Sequence, residues 1–219
     1  TALCEQQFVK DSKIRIMPDV HAGTGCTIGT TMTIGDYVVP NLVGVDIGCG
    51  MLTVALKEKR INLPELDSFI RKNIPAGREL RERTHRSHGR IDIEELRCYK
   101  HIDTRRAKES LGTLGGGNHF IEVDKDDEGN LYLVIHTGSR NLGLRVADYY
   151  QAKAYKAVGG KSQSEIPYEL AYLTGEDKAD YLHDMELMQR FASLNRDIIK
   201  EVILDGMKLH EVDSFTTIH

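Results

Sequence analysis

Phe120-Ile121-Glu122-Val123, then Asp124-Lys125-Asp126-Asp127-Glu128-Gly129-Asn130, then Leu131-Tyr132-Leu133-Val134-Ile135, reads as a β-hairpin. Two runs rich in β-branched and aromatic residues flank seven residues of turn chemistry. A short return of this kind makes the two strands antiparallel neighbours. The helical patterns elsewhere fall in blocks before and after it and do not alternate strand by helix. The expected class is therefore α+β, with β-rich layers, a central hairpin and flanking helices, rather than a parallel βαβ fold.

Working outward, the segment before the hairpin carries short Val-, Ile- and Thr-rich runs between glycines, expected as strands over Lys13–Met17, Cys26–Ile34, Tyr37–Val39 and Met51–Leu56. Residues 62–73 are expected to be a helix, with Asn62 as cap ahead of Pro64. Residues 75–90 look irregular and basic, and 92–109 are expected as a second helix with acidic residues at its start. Beyond the hairpin, helices are expected over 141–157 and 177–204. In the longer one Leu182, Met185, Met188, Phe191, Ile198 and Val202 recur mostly at helical spacing. No repeat, low-complexity run or Pro/Gly/Ser-rich linker divides the chain, so residues 1–219 are expected to form one domain. Both ends read as cut: the first residue is Thr1, and the last residues, Phe215-Thr216-Thr217-Ile218-His219, are an apolar approach rather than a polar tail.

The 219 residues are 40% hydrophobic and 28% charged, with a formal net charge of −4. A globally basic nucleic-acid binder is excluded, and any such surface must be a local patch. No apolar run approaches the roughly 18 residues of a membrane helix, so no membrane partner is expected. The start has neither the basic nor the apolar region of a secretory signal. The cysteines, at positions 4, 26, 49 and 98, show no CxxC pairing. They are expected to be reduced thiols in a cytoplasmic protein, available as ligands.

The chemistry-bearing residues lie on either side of glycines. Gly44-Val45-Asp46-Ile47-Gly48-Cys49-Gly50-Met51 puts a carboxylate and a thiol three residues apart in a turn. A thiolate beside a carboxylate is unfavourable unless a cation joins them. The ordinary alternative is a buried Cys49 and a turn-capping Asp46. Asn118, His119 and Glu122 follow Gly115-Gly116-Gly117, and His136 ends the return strand. The hairpin should bring His119 and His136 together. A regular strand would put Asn118, Phe120 and Glu122 on one side and His119 on the other. Each histidine taken singly could instead be a satisfied core residue. Arg140 stands at an expected helix start, suited to clamping a phosphate, unless it is an ordinary surface arginine. His219 offers a ligand from a distant segment. Asp46, Cys49, His119, His136 and His219 would suffice for two metals sharing the thiolate. Thiolate, imidazole and carboxylate together suit Mn, Zn or Fe better than Mg or Ca. Second in rank are Asp19 and His21: Asp19 could orient the imidazole, or either could touch substrate, although turn-forming Asp and Gly explain most of that stretch. The run Arg78–Arg90 holds five arginines and two histidines and could meet RNA phosphates, although a solvated surface explains most charge runs.

Met17–Gly23 (MPDVHAG), Val43–Met51 (VGVDIGCGM), Leu114–Glu122 (LGGGNHFIE) and Ile135–Gly143 (IHTGSRNLG) together resemble the RtcB family of RNA ligases, over essentially the whole chain. The resemblance implies joining of an RNA 3′-phosphate or 2′,3′-cyclic phosphate end to a 5′-hydroxyl end, in tRNA splicing or RNA repair. It implies GTP, two Mn²⁺ ions, a guanylylated histidine and an activating protein partner. Carried over by position, Asp46 and His119 would bind one metal, His136 and His219 the second, and Cys49 both. Asn118, Glu122, His119 and His219 would contact the nucleotide, and Cys49 and Arg140 would act on the phosphates. The acceptor histidine of the family's His-Gly-Ala-Gly-Arg stretch has no match in this chain. Two other readings share the same residues: a metal-dependent phosphoesterase that opens cyclic phosphates without sealing, and a non-catalytic RNA-binding paralog.

Overall fold

The computed structural model describes residues 2–159 and 166–218. Its strands are β1 (Ile14–His21), β2 (Ile28–Met32), β3 (Gly50–Leu56), β4 (Phe120–Lys125), β5 (Leu131–Thr137) and β6 (Glu211–Ile218). Its α-helices are α1 (Pro40–Val43), α2 (Leu63–Asn73), α3 (Ala107–Ser110), α4 (Arg140–Ala157) and α5 (Gly175–Met207). Both sheets are antiparallel, so the class is α+β, as expected from the hairpin.

The described residues gather into two compact units. The first comprises Thr1–Val45, Leu96–Ile102 and Arg145–Asp184. It holds the ribbon of β1 and β2, whose register slips between Ile16 and His21. Pro18 lies in that interval and has no N–H to give a ladder, which suits it to a bulge. Leu3, Val9 and Leu170 are buried together there, with Phe8, Ile14 and Met32 packed against them.

The second unit comprises Asp46–Glu95, Asp103–Leu144 and Met185–His219. Its sheet has the order β4-β5-β3-β6. Leu52, Val54 and Leu56 of β3 and Leu131, Leu133 and Ile135 of β5 turn to one face, as the two-residue period of a strand requires. They bury against Leu66 of α2, Ile74, and Ile199 and Ile203 of α5. The same alternation sends His136 to the other face, opposite Met51 on β3 and Phe120 on β4. The core face thus fixes which way His136 points, because a one-residue slip would turn Val134 and His136 to the core in place of Leu133 and Ile135. Helix α2 begins as expected: Asn62 Oδ1 accepts the Glu65 N–H at 3.3 Å, and Pro64 sits in the first turn.

Two expectations need correction, and one strand was not expected. Residues 92–109 are not one helix but 3₁₀ turns at Ile93–Glu95 and Tyr99–His101, then the short α3. Local side chains capture the backbone: Asp92 Oδ1 takes the Glu94 N–H at 2.9 Å and Asp103 Oδ1 the Arg105 N–H at 3.1 Å. The Asp184 carboxylate takes the N–H groups of Arg97 and Cys98 at 2.8 and 3.0 Å. The strand expected at Tyr37–Val39 reduces to a single bridge between Val38 and Leu173. The apolar approach near Phe215 belongs to the edge strand β6. Only Ser214 in it is even half-buried, so it carries no alternating hydrophobic signal.

Candidate metal centre

The site is built where β3 begins and β5 ends. Asp46 to Cys49 form a turn closed by the Cys49 N–H on the Asp46 carbonyl at 3.0 Å. Gly48 sits in it at φ +78°, and a Cβ there would lie 2.8 Å from Gln189 Cα of α5. Only glycine meets both conditions. The turn delivers Asp46 and Cys49 to the same imidazole. His119 Nε2 is 3.0 Å from Asp46 Oδ2 and 3.5 Å from Cys49 Sγ. His136 Nε2 reaches Cys49 Sγ from the other side at 3.8 Å. The two rings stand nearly perpendicular, 5.5 Å apart.

Both imidazoles are held from behind. His119 Nδ1 is 3.0 Å from the Leu114 carbonyl, and His136 Nδ1 is 3.1 Å from the Gly50 carbonyl. A carbonyl only accepts, so each Nδ1 carries the hydrogen and a neutral ring turns its Nε2 lone pair to the cluster. This backing is what metal-ligating histidines ordinarily have. Asp46 is held the same way: its Oδ1 accepts from the Ser139 N–H at 2.9 Å and the Ser139 hydroxyl at 3.2 Å, leaving Oδ2 for the cluster.

Cys49, His119 and His136 each offer one donor atom, all within 4.8 Å of one another. On a tetrahedral ion, bonds of about 2.3 Å to sulfur and 2.0–2.1 Å to nitrogen put those atoms about 3.6 Å apart. The observed sulfur–nitrogen separations bracket that value. Electrostatics point the same way. Burial, then the Asp46 charge, push the Cys49 thiol up to about 12, against weaker opposing pulls from the Gly50 N–H and Arg196. Burial also works against the Asp46 carboxylate, but its contact with the His119 imidazole and the hydrogen bonds from the Ser139 N–H and hydroxyl outweigh it and hold its pKa below the ordinary value. A carboxylate, a lone pair and a thiol facing one point make a donor set for a cation, and a divalent metal would ionise the thiol. The residues fit a metal, and the soft thiolate favours Mn, Zn or Fe over Mg or Ca. The Cys49 and His136 residues and the His119 side chain are below a tenth exposed, whereas the Asp46 side chain is 31% exposed. The centre therefore opens to solvent at Asp46.

Arg140 lies beside this cluster. It opens α4 at φ +59°, a left-handed backbone that costs a non-glycine residue about 1–2 kcal/mol. Its Nε donates to Thr113 Oγ1 and its Nη2 to the Gly77 carbonyl, both at 3.1 Å. The guanidinium fills the space a Cβ at Gly115 would need. Burial lowers its pKa, and the charges of Asp46 and Cys49 push it back up. Glu122 shares the sheet face of Phe120 and His136 and is exposed. Asn118 is exposed in the turn before β4, which starts only at Phe120. The strand alternation expected for 118–122 therefore does not reach Asn118 and His119. His219 lies outside the described residues. Asp19 and His21 are exposed in β1, and His21 Nδ1 bonds the Asp19 backbone carbonyl at 2.8 Å. Asp19 thus meets His21 through its backbone carbonyl.

Sequence reading missed Ser139, Thr137, Thr113, Asn195 and Arg196. The signal for the last two was present. Asn195 lies four residues after Phe191 and three before Ile198, and Arg196 lies in register with Ala192 and Ile199. Two polar residues at core positions of an apolar helix call for partners.

The arginine run Arg78–Arg90 is partly neutralised. Arg90 pairs with Glu201 at 3.3 Å and Asp197 at 3.7 Å, and Arg86 with Asp205 at 3.5 Å. Arg78 and Arg83 are exposed. If the run meets RNA, Arg83→Ala should flatten the salt dependence of binding by about one unit of slope. Arg86→Ala should change it less. Filter binding at several salt concentrations checks this, and an unchanged slope for Arg83→Ala would leave the run as solvated surface.

The sequence matches the family described as "tRNA-splicing ligase RtcB" over residues 5–96 and 77–214. It is 34% identical to the RNA-splicing ligase RtcB of Escherichia coli K12 over 233 aligned positions, 93% of this chain and 57% of that protein. It is 30% identical to the tRNA-splicing ligase RtcB of Nanoarchaeum equitans, covering 84% of this chain and 50% of that one. An Entamoeba histolytica RNA-splicing ligase RtcB homolog is 27% identical over 84% of this chain. The chain thus spans about half the length of the curated relatives it matches.

Proposed function

Since this chain belongs to the RtcB family, we propose that it carries the metal centre of an RNA ligase. The proposed reaction joins a 3′-phosphate or 2′,3′-cyclic phosphate end to a 5′-hydroxyl end with GTP and Mn²⁺, in tRNA splicing or RNA repair. The observation that carries the reading is the convergence of Asp46, Cys49, His119 and His136, with both imidazoles oriented by backbone carbonyls.

In this reading Asp46 Oδ2, Cys49 Sγ, His119 Nε2 and His136 Nε2 would hold metal, and His219, outside the described residues, is proposed as a further ligand. Bound Mn²⁺ would draw charge from a phosphate oxygen and so ease attack at phosphorus. The chain's own residues prepare that event. Ser139 keeps Asp46 ionised and turned inward. The dry inner wall strengthens each charge interaction. Arg140, anchored by Thr113 and Gly77, presents a guanidinium beside the centre as a phosphate clamp. Asn118 and Glu122, exposed near the opening, are the proposed nucleotide contacts. The GMP-accepting histidine is proposed to lie outside these residues. Cysteines held as thiols suit a cytoplasmic setting. Among the described residues no helix is long and apolar enough to cross a membrane.

The test uses the gene product that contains this chain, with an RNA bearing a 3′-phosphate and one bearing a 5′-hydroxyl. Joined product requiring both GTP and Mn²⁺, and label retained from α-labelled GTP after denaturation, are expected. Opening of a cyclic phosphate without joining or label would instead favour a phosphoesterase, and binding without either would favour a non-catalytic RNA-binding protein.

A further inference from the structure

Beneath the four donors lies one turn of α5. Asn195 is fully buried and Arg196 is 1% exposed. The Asn195 Oδ1 accepts from the N–H groups of Gly112 at 2.7 Å and Thr113 at 3.2 Å. Its amide nitrogen lies 3.1 Å from the Thr113 carbonyl, 3.2 Å from the Gly138 carbonyl and 3.4 Å from Thr137 Oγ1. Arg196 Nη1 donates to the Gly48 carbonyl at 3.0 Å and the Thr137 carbonyl at 2.8 Å.

Each of these acceptors adjoins either a donor of the cluster or a residue that holds one. Gly48 precedes Cys49, and Thr137 follows His136. Gly138 precedes Ser139, which holds Asp46. Thr113 precedes Leu114, whose carbonyl orients His119. The pair therefore reaches every donor-bearing segment, though neither side chain is itself a donor. We infer that Asn195 and Arg196 are positioning residues that preset Asp46, Cys49, His119 and His136 for metal before it binds. The inference rests on the metal reading of that cluster.

Fold stability alone does not account for them. A buried cation is expensive, and apolar replacements of similar size often match or exceed its stability. Arg196 donates to peptide carbonyls and, at 3.5 Å, to Thr216 Oγ1, so what it supplies is direction. Partners of metal-ligating groups typically cost 10–100-fold in metal affinity when removed.

The test titrates the gene product that contains this chain with Co²⁺, following the thiolate-to-cobalt charge-transfer band. The variants are Asn195→Leu, Asn195→Asp, Arg196→Met and Arg196→Lys. Leu66→Ala, in the core of the same unit but away from the donors, reports general loosening. All are compared at a temperature where circular dichroism shows them folded. Asn195→Leu and Arg196→Met should bind about 10–100-fold more weakly with a displaced band, Arg196→Lys should recover part of the loss, and Leu66→Ala should match the parent. If the apolar variants fail to fold, Asn195→Asp and Arg196→Lys decide, each expected to fall between the parent and a ten-fold loss. Variants that bind as the parent does, or a Leu66→Ala chain that loses as much, would overturn the inference alone. A parent that binds no Co²⁺ would overturn the metal reading together with it.

Discussion

Cys49→Ala is expected to abolish high-affinity binding of thiophilic divalent metal, a loss above about 100-fold, since removal of an outer partner alone costs 10–100-fold. Cys49 Sγ is the atom between the two imidazoles, 3.5 Å from one and 3.8 Å from the other. Without it His119 and His136 share no third donor in their midst. If the thiolate serves two ions, both should go. The metal-free fold should change little, because a buried thiol pushed up to about 12 is neutral and packs as a small apolar group. The two effects separate in thermal melts. A ligand at 100 times its dissociation constant adds about 2.7 kcal/mol to the native state. The parent's melting temperature should therefore rise with Mn²⁺ or Zn²⁺, and that of Cys49→Ala should not. Equal metal content by elemental analysis of the two proteins would remove Cys49 from the site.

Gly138→Ala should damage the same centre by a steric route. The backbone there is not left-handed, so conformation alone would tolerate alanine. An added Cβ, however, would occupy the space of the Asp46 carboxylate. The carboxylate cannot simply yield, because the Ser139 N–H and hydroxyl hold it in place. Overpacking of this kind costs about 1–3 kcal/mol, and a displaced Asp46 would weaken metal binding as well. The mechanism makes a further demand. In an Asp46→Ala background the clash is gone, so Gly138→Ala should cost much less there. Urea unfolding of the four chains of that cycle measures the difference. An equal cost in both backgrounds would mean that Asp46 is not what alanine strikes.

The hairpin was legible because its turn chemistry and its two apolar runs agree, and its closure brought His119 and His136 together in advance of any coordinates. The helix expected over 92–109 failed because its acidic residues act as local caps. Asp92 and Asp103 take nearby N–H groups, and Asp184 takes two more from eighty-odd residues away along the chain. Strand β6 escaped notice because an exposed edge strand needs no apolar period. In the site, Asp46, Cys49, His119 and His136 announce themselves as rare donor types beside glycine. Ser139 does not, and Asn195 and Arg196 show only as polar residues at core positions of a helix, since their contribution depends on which backbone groups tertiary folding brings within reach. His219 falls outside the described residues, so its place was a matter for sequence alone.

The account stands most directly on diffraction from crystals grown with Mn²⁺, measured on both sides of the manganese absorption edge. The predicted result is an anomalous peak within bonding distance of Cys49 Sγ and of the Nε2 atoms of His119 and His136. A thiol and two imidazoles left bare, with manganese bound elsewhere or absent, would contradict it.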